Sequence, residues 1–561
     1  MRRDAASIAN GAELVSEVVV VGAGPLGIVT ALELADSGLR VLLIESGGDG
    51  YEEAPQRLNE VAAGHDDYFH AAKEISVRRQ VGGTSTLWGG RCVPFDPIDF
   101  EPRPVVPQSL WPVGYDDLTP FLQRACDWSV CGKAIFNAKD LPELAGSDMV
   151  PGLPDGDVRT TDLERWSLPT RFGAEYGKRL HEHPQIDLVT NLTVTGIVTS
   201  RDGTAVDHLV AKSLDGKAFA VRAREYVLAT GGLEATRLLM ASTSEHHPDG
   251  IGNHSGHLGR WYMAHVEARV AEIHLSTPPE QTIYSHELDA DKVYVRRRFT
   301  FSREHQLAKG LSNAAVWIVN PELGDHTHRS GILSGVYLTL ISPLGKFMLA
   351  EAIRQAGTKT TRPTTVRAHL ANIVRDLIPS VKFAFSFTYA RFFRKGRKAP
   401  GFFVGSKSNV YPLQYHGEHL PHWESRVELS DQLDELGLPR LTTHLHFSDE
   451  DLESVRTAMA EIDRHLREHG VGRLELLADD VEQAVSDYLK GTAGYHQTGT
   501  TRMSAFPEDG VVTGDLSVHG VPNLSIASTS VFPTSSQANP TFMGIAFSVR
   551  LADRLKTQLQ S

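Results

Sequence analysis

Cysteine is scarce in this chain of 561 residues, which has only Cys92, Cys126 and Cys131. The three form neither a CxxC pair nor the even-numbered framework that cross-links small secreted domains. The first fifteen residues also lack the apolar stretch of a signal peptide. We therefore expect a cytoplasmic protein in a reducing compartment.

Long hydrophobic runs and an excess of positive charge are also missing. The longest apolar-leaning stretch, residues 331–350, is interrupted by serine, proline, glycine and lysine, which is typical of a protein core and not of a membrane span. The formal net charge of -13 repels phosphate backbones and anionic lipids. We expect no nucleic-acid partner and no membrane contact, and the oligomeric state stays open.

Metal-ligand motifs are absent as well. The chain has 25 histidines, but none lies in an HExxH or comparable set. We therefore predict no metal site. The spaced pairs are interpreted as surface or loop histidines, and they are His181 with His183, His326 with His328, and His416 with His419.

A βαβ unit stands near the N-terminus. An apolar run at 18–21 precedes the loop GAGPLG at 22–27, an amphipathic helix-like stretch at 26–37, and a second apolar run at 41–44. In such a loop Gly22 permits a tight turn, Gly24 lets the backbone approach a pyrophosphate, and Gly27 allows close packing of helix on strand. Glu45 would bind ribose hydroxyls and disfavours a 2'-phosphate, so the unit predicts FAD or NAD. Pro25 and Leu26 open the helix at the same cofactor site.

Three further segments carry small, polar and glycine residues. The loop VGGTSTLWGGR at 81–91 can press its backbone against a flat ring, or can be a tight structural turn. The segment GYHQTGTTRM at 494–503 contains His496, and ANPT at 538–541 contains Asn539.

Elsewhere the pattern predicts elements of both kinds. We expect a strand at 226–229 with a helix at 233–242, antiparallel strands at 293–301, 313–319 and 426–429, and helices at 366–378 and 542–557. Loops and short helices are expected at 100–185. The aromatic and basic run at 387–398 is interpreted as a solvated loop or packing element, with a membrane-surface or partner contact as the alternative.

Taken in order, these motifs resemble those of the glucose-methanol-choline (GMC) oxidoreductases, and within them the branch containing pyranose 2-oxidase and bacterial glycoside oxidoreductases. The resemblance implies FAD rather than NAD. It also implies an α/β fold with a discontinuous Rossmann-like FAD-binding domain at 1–99, 186–264 and 490–561. An α+β substrate-binding domain with an antiparallel sheet would comprise 100–185 and 265–489.

The resemblance also implies roles for single residues. His496 stands at the position of the catalytic base, and Asn539 at that of its partner on the substrate hydroxyl. Leu87 replaces the histidine that pyranose 2-oxidase links to its flavin, so we expect non-covalent FAD. The further cofactor-binding residues would be Gly83, Thr84, Thr86, Leu87, Trp88, Gly89, Gly90, Val194, Ser528, Asn539 and Thr541.

Three other residues receive weaker assignments. His265 matches a histidine frequent in the family and is interpreted as structural. Glu418 and Arg426 fall in a segment beside the substrate domain, where substrate contact is the alternative to a structural role.

The implied reaction is oxidation of a hydroxyl of a sugar, glycoside or aminoglycoside to a carbonyl. His496 would take the hydroxyl proton while a hydride passes to flavin N5, and oxygen or another acceptor would reoxidise the flavin. One alternative is oxidation of an apolar or sterol-like alcohol. Another is a lyase that keeps FAD without redox turnover, and a third is a flavin-bound structural protein, which the intact pair of His496 and Asn539 disfavours.

Overall fold

The computed structural model describes residues 2–64, 68–72, 76–106, 109, 111–167, 170–348, 354, 357–358, 364–393, 397–406 and 408–561. Its central element is a seven-stranded sheet. The two apolar runs at 18–21 and 41–44 form its middle strands. Every residue of both strands is buried, as expected for strands that are covered on both faces. In spatial order the strands are Arg2–Asp4, Ile186–Thr190, Val41–Ile44, Val18–Val21, Glu225–Leu228, Val521–Ile526 and Ser517–Val518.

Strand pairing in this sheet is parallel except for the last pair, which is antiparallel. Its strands come from the three segments assigned to the FAD-binding domain, while the division of the chain into two domains stays a prediction. The predicted α/β class is confirmed.

Helix Pro25–Asp36 follows the first long strand, as the βαβ pattern predicts. It packs on the sheet and also against helices Thr541–Gln560 and Phe172–Glu182. Buried side chains therefore surround most of this helix, and the one-sided amphipathic pattern expected at 26–37 is wrong. Helix Gly232–Ala241 follows strand Glu225–Leu228, also as expected.

The remaining sheets are mostly antiparallel. The largest contains, in order, His265–Ala268, Val410–Glu418, Ala271–Leu275 and Gly472–Leu476, with Ala314–Ile318 also paired to the second. Two four-stranded sheets consist of Glu13–Val15, Ala218–Arg222, Val206–Lys212 and Thr193–Thr199, and of Glu287–Leu288, Tyr294–Arg297, Leu163–Trp166 and Arg91–Cys92. Two-stranded pairs join Thr300–Phe301 to Val158–Arg159 and Arg426–Leu433 to Pro439–His444.

The observed strands and helices correct two sequence predictions. The run at 293–301 is not one strand, because Tyr294–Arg297 and Thr300–Phe301 pair in different sheets. The stretch 100–185, expected to hold loops and short helices, contains two helices of 11 residues, Thr119–Ser129 and Phe172–Glu182, and the buried strand Leu163–Trp166.

The stretch predicted as one helix at 366–378 forms Val366–Arg375 and begins Leu377–Thr388, which continues as a π-helical turn over Tyr389–Phe393. The loop expected at 387–398 is therefore helical as far as Phe393, and residues 394–396 lie outside the described residues.

No described helix is long and apolar enough to cross a bilayer. The other α-helices are Glu53–Arg57, Arg303–Lys309, Gly331–Ile341, Pro343–Met348, Asp449–Glu468 and Val481–Leu489; the 3-10 turns are Ala5–Ser7, Gly83–Thr86, Pro97–Phe100, Ala138–Asp140, Pro279–Gln281, His326–His328 and Thr529–Val531.

Candidate active site

A cavity of about 430 Å³ opens at the carboxyl ends of the parallel strands, where α/β sheets bind their ligands. Segments from both ends of the chain line it. Most residues predicted from the motifs are among the lining residues: Gly22, Gly24, Pro25, Leu26, Glu45, Gly83, Thr84, Leu87, Trp88, Gly89, Gly90, Val194, His496, Ser528, Asn539 and Thr541.

Two predicted residues, Gly27 and Thr86, do not line the cavity. A Cβ at Gly27 would lie 1.9 Å from the carbonyl oxygen of Gly22, so Gly27 is needed for helix packing. The Thr86 hydroxyl donates to the carbonyl of Gly83 at 3.0 Å and stabilises the 3-10 turn of the glycine-rich loop. Both residues act on the shape of the cavity from behind its surface.

Glu45 follows strand Val41–Ile44, and its carboxylate is fixed beside the cavity. One oxygen accepts from the backbone N–H of Ala23 at 2.8 Å, and the other from that of Gly47 at 2.9 Å. Burial raises the pKa of Glu45, and the two N–H donors oppose that rise. The carboxylate is thus positioned to accept further hydrogen bonds from ligand hydroxyls.

The cavity suits a dinucleotide cofactor. A Cβ added at Gly24, Gly89 or Gly231 would meet no atom within 4 Å, so at these three lining glycines the backbone faces open space. The N-terminus of helix Pro25–Asp36 lies beside Gly24 and offers partial positive charge for a pyrophosphate. The residues present therefore fit FAD.

At the cavity wall His496 and Asn539 are in contact. The Asn539 amide nitrogen lies 3.0 Å from Nε2 of His496, and the Asn539 amide oxygen accepts from Arg91 at 2.5 Å. Because a guanidinium only donates hydrogen bonds, Arg91 fixes the orientation of the amide. Asn539 must then donate to His496, whose Nε2 carries a lone pair.

The charge state of His496 agrees with this arrangement. Burial, followed by the positive charge of Arg91, lowers the pKa of His496 to about 3. The imidazole is therefore neutral near pH 7, as an acceptor of a hydroxyl proton must be.

Arg91 itself belongs to a buried charged group that the sequence did not reveal. Glu164, on strand Leu163–Trp166, accepts from Arg91 and from Arg296. Although burial opposes ionisation, Arg296 and Arg91 lower the pKa of Glu164 to about 2. The sequence signal for a role of Arg91 was its position at the end of the GGR motif. The sequence could not reveal its partners Glu164 and Asn539, because they lie far from it along the chain.

Three histidine rings meet behind this wall. The ring centroid of His265 lies 4.3 Å from that of His416 and 4.8 Å from that of His496. Burial lowers the pKa of His265 and of His416 well below the usual range. Their ligand nitrogens lie within 4.8 Å of one another, which could hold a metal ion, but the charge of Arg91 opposes a cation there.

One sequence interpretation, that His416 and His419 are surface or loop histidines, is wrong. His416 and His419 are buried and not surface histidines, because the sheet of strand Val410–Glu418 encloses them. Neither Glu418 nor Arg426 lines the cavity. Glu418 accepts from both terminal nitrogens of Arg103, at 2.7 and 2.8 Å, and Arg426 donates to Glu428 at 2.6 Å.

The fold and the cavity together define a dinucleotide-binding α/β protein. Residues 17–411 match a family model described as FAD dependent oxidoreductase, and residues 421–548 match one described as GMC oxidoreductase. The chain therefore belongs to the FAD-dependent oxidoreductases and has a GMC oxidoreductase C-terminal domain, so the resemblance to the GMC oxidoreductases is confirmed.

Similar proteins cover nearly the whole length of the chain. A 2-methyl-1,2-propanediol dehydrogenase of Mycolicibacterium austroafricanum is 21% identical over 96% of this chain and 94% of its own. A paromamine 6'-oxidase of Streptomyces fradiae is 22% identical over 97% and 92%. The solved structure of pyridoxine 4-oxidase from Mesorbium loti has a TM-score of 0.57 at 17% identity, covering 96% of this chain and 99% of that one, and so shares the fold. The chain is an FAD-dependent alcohol oxidoreductase.

Proposed function

We propose that this enzyme oxidises a hydroxyl of a sugar, glycoside or aminoglycoside to a carbonyl. In the proposal His496 is the general base, and Asn539 binds the same hydroxyl. The observation that carries it is the contact of a neutral, half-buried imidazole with an amide whose orientation Arg91 fixes.

The proposed chemistry follows from the direction of these hydrogen bonds. A bound substrate hydroxyl would replace the direct hydrogen bond between the two side chains, because it accepts from the Asn539 amide and donates to Nε2 of His496. The bound FAD supplies the acceptor for the two electrons. Both side chains are half-buried at the cavity wall, and His496 holds the proton that leaves the hydroxyl.

The preference for a sugar-like substrate is supported by a relative and by the wall of the cavity. The Streptomyces fradiae relative is named for paromamine, an aminoglycoside. Arg91 adds a polar group to the lining beside His496. The Mycolicibacterium relative is named for a short diol, so small diols are the second candidate class.

A substrate panel monitored by anaerobic flavin bleaching tests the proposal. We expect bleaching by glycosides or aminoglycosides, followed by measurement of peroxide when oxygen is admitted, which separates an oxidase from a dehydrogenase. Bleaching only by long-chain or sterol alcohols would overturn the substrate class. Turnover without bleaching would indicate a redox-silent lyase.

His496→Ala tests the general base. We expect the rate of flavin reduction to fall by at least ~100-fold, because proton removal by a positioned base contributes that much. The control is His246→Ala, at an exposed histidine that does not line the cavity. An unchanged reduction rate in His496→Ala would disprove the assignment.

We further propose that FAD is bound without a covalent link. Leu87 lines the cavity in the glycine-rich loop and has no nucleophilic atom, and among the described lining residues His496 is the only histidine and cysteine is absent. Acid precipitation should leave all the yellow colour in the supernatant. Flavin retained on the washed polypeptide contradicts the proposal.

A further inference from the structure

Helices Val366–Arg375 and Leu377–Thr388, with the turn that follows, expose a row of apolar side chains. Six of them are between 50% and 77% exposed, and we call them the apolar stripe: Val366, Leu370, Val374, Ile378, Phe385 and Phe393. The first three recur every fourth residue of helix Val366–Arg375, a spacing that keeps neighbouring side chains on one side of a helix.

The inner side of helix Val366–Arg375 is polar. His369 and Asn372 are buried, with His369 Nδ1 2.9 Å from the hydroxyl of Ser334 and the Asn372 amide donating to the carbonyl of His326 at 2.9 Å. A surface helix of a globular protein has the opposite arrangement, with its apolar face towards the core.

Helix Leu377–Thr388 shows the same lack of cover more strongly. It is rich in phenylalanine and aliphatic residues, yet none of its residues is buried. A helix of this composition is expected to be buried in a core or in lipid. The described part of the protein does not cover the apolar stripe.

The surrounding segment is strongly basic. Residues 343–398 include 12 Lys and Arg and two acidic residues, although the whole chain has a formal net charge of -13. Arg367, Arg375 and Lys382 are exposed on the same two helices as the apolar stripe. Apolar and aromatic residues flanked by exposed basic residues are the signature of a helix that lies at a membrane interface.

We propose that the apolar stripe docks on an anionic lipid surface, with both helices lying in the plane of the interface. Charge complementarity selects this occupant, because a second copy pairing stripe to stripe would bring like charges together. No described helix is long and apolar enough to span the bilayer, which fits a surface-lying arrangement. The negative net charge of the whole chain predicted no membrane contact. In 0.1 M salt, however, charges more than about 10 Å from the lipid surface are largely screened, so the basic residues beside the apolar stripe determine its attraction to anionic lipid.

Vesicle flotation of the full-length flavoprotein tests this surface. We expect binding to vesicles of phosphatidylcholine with phosphatidylglycerol, little binding to phosphatidylcholine alone, and weaker binding at high salt. The triple variant Ile378→Ser, Phe385→Ser and Phe393→Ser should bind anionic vesicles at least ~10-fold more weakly, because it removes buried apolar area.

The matched control replaces three side chains of similar exposure elsewhere, Tyr51→Ser, Leu433→Ser and Phe506→Ser, and should bind as the unmodified protein does. Both variants should keep their flavin and should have the thermal unfolding midpoint of the unmodified protein. No binding of the unmodified protein to anionic vesicles, or equal binding by the stripe variant, overturns the proposal. A dimer that the stripe variant converts to a monomer, without vesicle binding, would identify a second copy as the occupant instead.

Discussion

Burial, together with the Arg91 and Asn539 side chains from other parts of the chain, sets the charge and hydrogen bonding of the His496 imidazole. Arg91 orients the Asn539 amide, and its charge helps to lower the pKa of His496. Arg91 is in turn held by Glu164. We therefore regard Arg91 as a positioning residue for the proposed base.

Arg91→Gln tests that role. Removing the positive charge should raise the pKa of His496, so the acid limb of the pH profile of flavin reduction should move to higher pH. We also expect a rate loss of about 10-fold to 100-fold, since Asn539 loses its fixed orientation.

The control for Arg91→Gln is Arg467→Gln, at an exposed arginine of helix Asp449–Glu468. A merely structural role of Arg91 predicts lower stability with an unmoved acid limb. Stopped-flow reduction after a pH jump from neutral pH to values between about 2.5 and about 6 distinguishes the two, because this range brackets the His496 pKa of about 3 and an upward shift of it.

At the scale of elements, the glycines of the first turn have separate tasks. Gly22 has a φ of +101° and makes the turn, Gly27 lets the helix pack within reach of the Gly22 carbonyl, and Gly24 faces the open cavity. The sequence motif predicted these tasks because they are local.

Gly27→Ala and Gly24→Ala should therefore fail in different ways. The added methyl at Gly27 would overlap the Gly22 carbonyl, so we expect the apoprotein to lose about 1–3 kcal/mol of unfolding free energy. At Gly24 the methyl meets no protein atom, so we expect near-normal apoprotein stability and weaker FAD binding.

Gly177→Ala is the matched control, because this helical glycine also has no atom near the added methyl, and it should be neutral or slightly stabilising. Urea unfolding of the apoprotein and fluorescence titration with FAD provide the two measurements. Equal stability losses in Gly24→Ala and Gly27→Ala would contradict this division of tasks.

At the scale of the whole molecule, histidines that burial keeps neutral make the free energy of unfolding depend on pH. Burial lowers the pKa of His265, His416 and His496 below the unfolded value of about 6.5, so below that pH the unfolded chain binds more protons and stability falls. Asp99 and Asp451 act in the opposite sense, because burial raises the pKa of each to about 7.

The histidines outnumber these carboxyls, and His286 and His419 add to them with pKa values of about 3 and about 4. We expect unfolding free energy to decline from pH 6.5 towards pH 4, by about 1.4 kcal/mol per pH unit for each uncompensated histidine. His265→Gln should make the decline shallower, whereas the exposed-site control His246→Gln should leave it unchanged. A flat stability profile over this range would refute the prediction.

The sequence alone determined the nucleotide-binding unit, the family and the presence of His496 and Asn539 in named motifs. These features are local, since strand, turn and helix within some thirty residues fix the glycine positions and the place of Glu45. The cavity lining then contained most of the predicted residues, although their roles stay proposals.

Only the tertiary structure decided which distant groups meet. Arg91 and Asn539 are 448 positions apart, and the burial of Glu164 and His416 depends on strands paired across the chain. The sequence could not predict that the apolar face of helix Val366–Arg375 points outward. Helical periodicity shows that a helix has two faces, but it does not show which face the rest of the protein covers. Burial and long-range contact arise from packing, and packing sets the charge and direction of the groups at the proposed site.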